Sequence, residues 1–481
     1  MGLHWLALFH RWLGVGLCVI FALWFASGAV MHFVPYPSLP KNERVRKSAY
    51  IDLSRIKISP AAALSFAPHA NRLRLVGIAG RPVYVLHVVD APVIAVAADT
   101  GTQLAALSAF EAQSIATAFQ GSYAPTTAWR ASYDQWTVAQ EFDAFRPFYR
   151  VAFNDREGTM LYVSARSGEV LQRTEASERF WNWCGANIHW IYFSALRAHW
   201  TAWDRVVWWL SLTGLLTTLA GVSLGWVRFA AVRRFRRRKL TSFGGWLAWH
   251  HRIGLFAGPF VLIWIFSGWL SMDHGRIFSI GAPTAEQVSR LQGMSLQSIA
   301  EAVPVSAIQA AGPASEILIS AVAGHAFLAA RGGEGQARIS WLDGPSSAPT
   351  STIPGSLLMQ GIRQTWPNEP VTDQGTVSVN NLYSLAEGMP AGSRAFRIEG
   401  SKLVDVYVDS VSGRIVTVMD SSRRAYAWAY YGLHTFKFPG LVARPMLRQA
   451  AILFLLAVGF VFSVTGIFVA VSRLRATRAA Q

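Results

Sequence analysis

The chain of 481 residues has only two cysteines, Cys18 and Cys184, and neither stands in a CxxC or CxxCH pattern. Thiolate-ligated iron–sulfur clusters and covalently attached c-type haem need such patterns, so both are excluded, and a structural disulfide is not expected. Charge is scarce as well. Only 15% of the residues are charged against 52% hydrophobic, a balance outside the range of soluble globular domains and expected of a membrane protein. No GxGxxG follows a strand pattern, which removes an internal flavin or nicotinamide domain. No nucleophile, base and oxyanion set stands out. The first apolar run lacks a small-residue cleavage site and is read as a retained anchor.

The charge that is present leans positive, with 44 Lys and Arg against 27 Asp and Glu. Many of the arginines crowd beside apolar runs, where topology-setting charge belongs, so no nucleic-acid partner is expected. Four spanning helices are predicted at 1–34, 206–227, 250–272 and 449–472, each with at least twenty consecutive residues free of Asp, Glu, Lys and Arg. That length crosses roughly 30 Å of hydrocarbon in a lipid bilayer. The connection 228–249 carries Arg228, Arg233, Arg234, Arg236, Arg237, Arg238 and Lys239, and the tail 473–481 adds Arg473, Arg475 and Arg478. By the positive-inside rule this loop and both termini are cytoplasmic. The long connections 35–205 and 273–448 then lie on the other side, and their mixed helical and alternating patterns predict two α+β modules. The stretch 354–374, PGSLLMQGIRQTWPNEPVTDQ, is dense in turn formers and unmatched in the first half, which predicts a loop able to meet a substrate.

The chain repeats itself. At an offset of 240 residues His10 falls on His250, Gly14 on Gly254, Trp24 on Trp264, Ser27 on Ser267 and Gly28 on Gly268. At 245, Tyr162 falls on Tyr407, Gly168 on Gly413, His189 on His434, Gly221 on Gly466 and Arg228 on Arg473. The molecule therefore reads as a tandem duplication of helix, module, helix, with a pseudo-twofold axis along the membrane normal.

Such an axis would bring His10 towards His250 and His189 towards His434, each pair at one depth. Two imidazoles facing across an apolar slot suit a low-spin b-type haem, whose iron takes two axial nitrogens. Zinc would want three or four ligands, and the helices offer no Asp or Glu to complete the set. Alternatives stay open at this stage. His251 could replace His250, and His32 with His189 or His274 with His434 could form separate outer sites. Small residues, Gly14, Gly16, Ser27 and Gly28 with Gly254, Gly258, Ser267 and Gly268, would admit a flat ring or simply another helix. Trp181, Trp183, Trp190, Tyr192, Trp200 and Trp203 could stack on such a ring, though interfacial anchoring is the commoner role of tryptophan there.

The order of His10-Arg11-Trp12-Leu13-Gly14, His251-Arg252-Ile253-Gly254, the turn from Asp409 to Gly413, Leu433-His434-Thr435 and Thr465-Gly466 resembles the PepSY-associated transmembrane family of bacterial inner-membrane proteins. The first half departs from it at Ile188-His189-Trp190 and Ala220-Gly221. The resemblance implies a four-helix membrane protein with two periplasmic PepSY-like α+β modules. It further implies a di-haem reductase passing electrons to a ferric siderophore in the periplasm for iron acquisition, with haem iron held through His10, His250, His189 and His434. A quinol or a separate reductase would be the donor. PepSY modules also resemble inhibitory segments of secreted peptidases, so a haem-free membrane anchor that binds or regulates a peptidase is the alternative expectation.

Overall fold

The structure is a computed structural model, and it describes all residues except 1, 122, 236–238, 274, 334–335, 345–347, 379–380, 382, 384–387 and 480–481. His274, Arg236, Arg237 and Arg238 thus lie outside the described residues. Four helices are long and apolar enough to cross a membrane: Gly2–Phe33, Trp200–Phe235, Gly245–Ser271 and Pro445–Ala479. They exceed the predicted spans at most ends because backbone hydrogen bonding continues past the hydrocarbon, whereas a charge-free window measures the hydrocarbon alone. The first packs on the second and fourth, and the third packs on the same two, so repeat partners stand diagonally across the bundle.

Between the helices, both connections fold on the same side. Strands β1 (Arg72–Ile78), β2 (Arg81–His87) and β3 (Ile94–Ala97) precede β4 (Pro125–Ala131), β5 (Phe148–Phe153), β6 (Met160–Ser164) and β7 (Val170–Thr174). The second connection supplies β8 (Glu316–Val322), β9 (His325–Arg331), β10 (Arg338–Trp341), β11 (Val371–Thr376), β12 (Arg394–Glu399), β13 (Leu403–Val408) and β14 (Ile415–Met419). Strands β4 to β7 and β11 to β14 form two four-stranded antiparallel sheets of the same order, each ending in a Gly turn, with Gly168 and Gly413 at φ of 74° and 68°. Only a residue without Cβ takes that conformation at no steric cost.

The two α+β modules share one sheet. β1 pairs antiparallel with β8, so the order β10-β9-β8-β1-β2-β3 is a single six-stranded sheet shared by both connections. β8 is the repeat copy of β1 at an offset of 244, and Arg74 faces its own counterpart, Leu318, across that pairing. The pseudo-twofold therefore passes between these two strands.

The predicted loop at 354–374 is corrected. It contains the helix Gly355–Thr365 and then β11, and these match the helix Ala109–Gln120 and β4 of the first half. Leu357, Leu358, Gly361, Ile362 and Thr365 are buried, an i, i+1, i+4, i+5, i+8 stripe that faces the core. The flanking prolines only frame it, Pro354 standing at the helix start, where the φ of proline is tolerated.

At the shared sheet lies a buried charge cluster. The Arg74 guanidinium donates to Glu169 at 2.9 and 3.1 Å, to Glu316 at 3.1 Å and to His87 Nε2 at 3.1 Å. Lys41 reaches Glu316 at 2.8 Å. Burial alone would raise both carboxyl groups, but the cations around them win: Glu316 sits well below its ordinary range because of Lys41, Arg74 and Arg44, and Glu169 is lowered chiefly by Arg74. Burial, reinforced by Arg74 and Arg72, brings the His87 imidazole down to about 3, so it accepts as a neutral ring. Removing one partner of such a buried network strands the other charges, at a cost of about 3–5 kcal/mol. Arg74→Met is accordingly expected to lower the melting temperature of the intact protein, followed by tryptophan fluorescence. Depressed carboxyl pKa values stabilise the fold above the ordinary value of 4.5, and that stability is lost as pH falls through their lowered folded values. The native protein should therefore soften in that acid range more steeply than the variant.

Candidate functional site

The first and third helices begin at the basic end; the first carries His10 in its third turn and the third carries His250, followed by His251, in its second. Across the bundle centre the two rings lie with centroids 6.5 Å apart and planes at 31°. The second pair arrives differently. After β7 a short helix, Ala176–Asn182, runs into a wide π-helical turn, Trp183–Asn187, that delivers His189 against the first helix. After β14 the same sequence of helix, Ser421–Ala427, and wide turn, Trp428–His434, delivers His434 against the third. Those rings have centroids 6.2 Å apart at 59°. Both predicted pairs are thus brought together.

Each ring is tied back by Nδ1. His189 donates to the Trp24 carbonyl at 3.1 Å with Ser27 Oγ at 3.2 Å, and His434 donates to the Trp264 carbonyl at 3.2 Å with Ser267 Oγ at 3.1 Å. His10 donates to the Thr217 carbonyl at 3.0 Å. His250 meets Thr465 Oγ1 at 3.0 Å, and that hydroxyl spends its own proton on the Phe462 carbonyl at 2.6 Å, so it accepts from the imidazole. A carbonyl can only accept, which puts the proton on Nδ1 and leaves Nε2 with a free lone pair, the form in which imidazole ligates a metal. The departure at Ala220 has a local consequence: its counterpart Thr465 holds His250 by a hydroxyl, and lacking one there, the second helix holds His10 by a main-chain oxygen.

Glycines make room for the rings. A Cβ on Gly221 would stand 2.5 Å from His10 Cε1, on Gly268 3.2 Å from His434 Cε1, and on Gly28 3.4 Å from His189 Cε1. On Gly466 it would clear His250 by 3.5 Å. Trp24 lies 14 residues beyond His10, and Trp264 14 beyond His250, so the two pairs are separated by about 21 Å along the helices. Between them Phe21, Phe25, Val261, Trp264, Ile265 and Leu456 form a packed apolar layer. Around the inner pair opens a cavity of about 420 Å³, with Gly14, Gly254, Gly221 and Gly466 on its wall. That is the scale of a small-molecule site.

The alternates fare differently. His251 lines the same cavity, but its Nε2 donates to the Gly225 carbonyl at 3.1 Å and its ring edge meets Phe243. His32 sits half-buried at the end of the first helix, edge-on to Phe33, while His189 faces His434 instead. Among the tryptophans, Trp181 and Trp183 are exposed, whereas Tyr192, Trp200 and Trp203 surround the buried Arg197 guanidinium at 5.3, 4.4 and 4.6 Å. Neither group stacks on the paired histidines. Among the described residues no set of three or more His, Cys, Asp or Glu could hold a metal ion, so the donor sets are pairs. Sequence reasoning missed Thr217, Thr465 and the tryptophan carbonyls as the oxygens that orient the rings. It registered Gly221 and Gly466 as repeat partners without their role, and their co-occurrence with the histidine repeat was the available signal.

The glycine contacts give an asymmetric expectation. Gly221→Ala forces the His10 ring or the second helix to shift, which costs about 1–3 kcal/mol, whereas Gly466→Ala meets ordinary van der Waals contact and stays within about 0.5 kcal/mol of the native protein. Thermal denaturation of the two variants side by side measures the difference.

None of the curated proteins compared with the chain matches it. The family model described as "PepSY-associated TM region" matches residues 7–473, which takes in all four helices, both histidine pairs and the sheets between them. The chain belongs to the PepSY-associated transmembrane family.

Proposed function

We propose that this protein is an electron-transfer enzyme of a bacterial inner membrane, holding two b-type haems and reducing a ferric siderophore at the module side, with the basic loop and both termini in the cytoplasm. The observation that carries the reading is the pair of facing imidazole sets. A metal–imidazole bond is about 2.0 Å, and an imidazole nitrogen lies roughly 1.2 Å from its ring centre, so two rings on opposite sides of one ion have centroids about 6.4 Å apart. The inner and outer pairs, at 6.5 and 6.2 Å, fit that span. The neutral Nδ1–H form of each ring, the glycine cradles and the apolar cavity fit the same group. His10 with His250 would hold one haem and His189 with His434 the other.

Haem, when bound, supplies a one-electron iron couple whose potential follows its axial ligands and surroundings. The chain's own contribution is placement. It sets two histidine pairs at two depths, fixes every ring through an oxygen bonded to its Nδ1, and fills the space between with aromatic and aliphatic side chains that exclude water. The substrate chemistry is a single electron added per ferric ion. The ferrous product carries one charge less, binds hard oxygen ligands more weakly, and leaves the siderophore intact. With no dinucleotide-binding motif in the chain, the electrons come from a quinol or from a separate reductase.

Purified full-length protein is expected to show a Soret band and dithionite-reducible α-bands corresponding to two haems per chain by pyridine haemochrome. His10→Ala or His250→Ala should lower the count towards one, and His189→Ala or His434→Ala should remove the other, while His32→Ala and His251→Ala keep both. Protein that is colourless after haem-supplemented expression overturns the reading. Addition of a ferric siderophore to the reduced protein should restore the oxidised spectrum as a ferrous chelator develops colour.

A further inference from the structure

The cavity around the inner histidines has an unbalanced charge. Arg11, Arg228 and Arg473 all stand on its wall. No aspartate or glutamate occurs anywhere in residues 1–42, 205–272 or 421–481, which contain the spanning helices, except the outer first turn of the second with its Asp204, and everything at the basic end. Among the described residues these segments therefore offer the guanidinium groups no side-chain carboxylate, and all three arginines are exposed at the mouth of the cavity.

Their positions follow the repeat. Arg228 lies seven residues beyond Gly221, the glycine against His10, and Arg473 lies seven residues beyond Gly466, the glycine nearest His250. Seven residues are two helical turns, so each arginine stands on the same helix face as its glycine and about 10 Å nearer the basic end. The result is a twofold arrangement: a histidine pair at the floor, glycine cradles beside it, and a guanidinium pair above it. Positive-inside topology explains arginines at this end of the helices but does not explain two of them in register on the wall of one cavity. Arg11 adds a third cation where the other half has His251, so the mouth is not fully symmetric.

We propose that Arg228 and Arg473 clamp the paired carboxylates of the flat, apolar ligand held between His10 and His250, with Arg11 as an auxiliary cation. The proposal rests on the haem reading and deepens it: the inner site selects a tetrapyrrole that bears two carboxylate arms, oriented towards the basic end. Guanidinium forks suit this because they meet a carboxylate by two parallel hydrogen bonds. Neutralising the arms also lets them lie in an apolar wall that would otherwise reject them.

The test uses the full-length protein with Arg228→Gln/Arg473→Gln, the charge-retaining Arg228→Lys/Arg473→Lys, and Lys239→Gln as a control for lost charge away from the cavity. Transfer of haem to apomyoglobin from the inner site should accelerate at least tenfold in the double Gln variant, less in the Lys variant, and not in the control. The inner midpoint potential should fall in the double Gln variant, because removing cations disfavours the electron-rich form. Native apoprotein should prefer haem over its dimethyl ester at least tenfold, and the double Gln variant should lose that preference. Unchanged transfer and no ester discrimination in a haem-loaded native protein overturn the clamp alone. Loss of co-purifying anionic lipid with haem retention unchanged also overturns it, by assigning the arginines to lipid headgroups. A native protein that binds no haem overturns this proposal and the functional reading together.

Discussion

The Nδ1–H bond of each paired histidine to an oxygen on a neighbouring helix is what the rest of the arrangement turns on. Without it an imidazole rotates and exchanges tautomers; with it, the second nitrogen keeps its lone pair on the side away from the helix that holds it. The bond requires an oxygen at the right depth, and in an apolar bundle side-chain oxygens are few, so three of the four rings use main-chain carbonyls. The outer pair takes main-chain carbonyls of the first and third helices, with Ser27 and Ser267 alongside. The inner pair takes its oxygens from the second and fourth. These bonds tie the first helix to the second and the third to the fourth, and the facing rings of each pair bring the two halves together at the bundle centre.

The outer pair couples this bundle to the sheets. Only 15 residues separate the end of β7, at Thr174, from His189, and the same number separates Met419, at the end of β14, from His434. Short helices and wide turns fill both intervals. The four-stranded sheets and the histidine turns are thus joined through short structured segments. The six-stranded sheet counteracts independent movement, because pairing β1 to β8 locks the two connections together at the axis.

Much of this was legible in the residues. The histidine repeat at 240 and 245 identified both pairs, and the small residues beside them, Ser27, Gly28, Ser267 and Gly268, lie against the outer rings as their spacing suggested. The strands at 72–78 and 394–419 followed from alternation and Gly turns. What escaped was whatever depends on a partner distant in sequence. Nothing in β1 alone says that its neighbour is its own copy. Main-chain carbonyls as ring acceptors leave no mark in a sequence, since every residue has one. The helix at 355–365 was concealed by flanking prolines and by glycines at both ends of its first two turns, although its apolar spacing was helical.

Duplication about an axis imposes a further rule: a residue on the axis meets its own copy. For a charged side chain that is untenable, since like charges opposite one another on adjacent strands repel. Arg74 faces Leu318 there, and its two carboxylate partners are likewise drawn from diverged positions: Glu169 has Arg414 as its repeat counterpart, and Glu316 has Arg72. The halves have become complementary where symmetry would have set cation against cation. The histidines show the opposite outcome. A neutral imidazole can face its copy without charge repulsion. Retention of identity at His10 and His250 and at His189 and His434, beside divergence at Arg74 and Leu318, thus separates an end of the axis where identical neutral rings can face each other from one where identical charges could not.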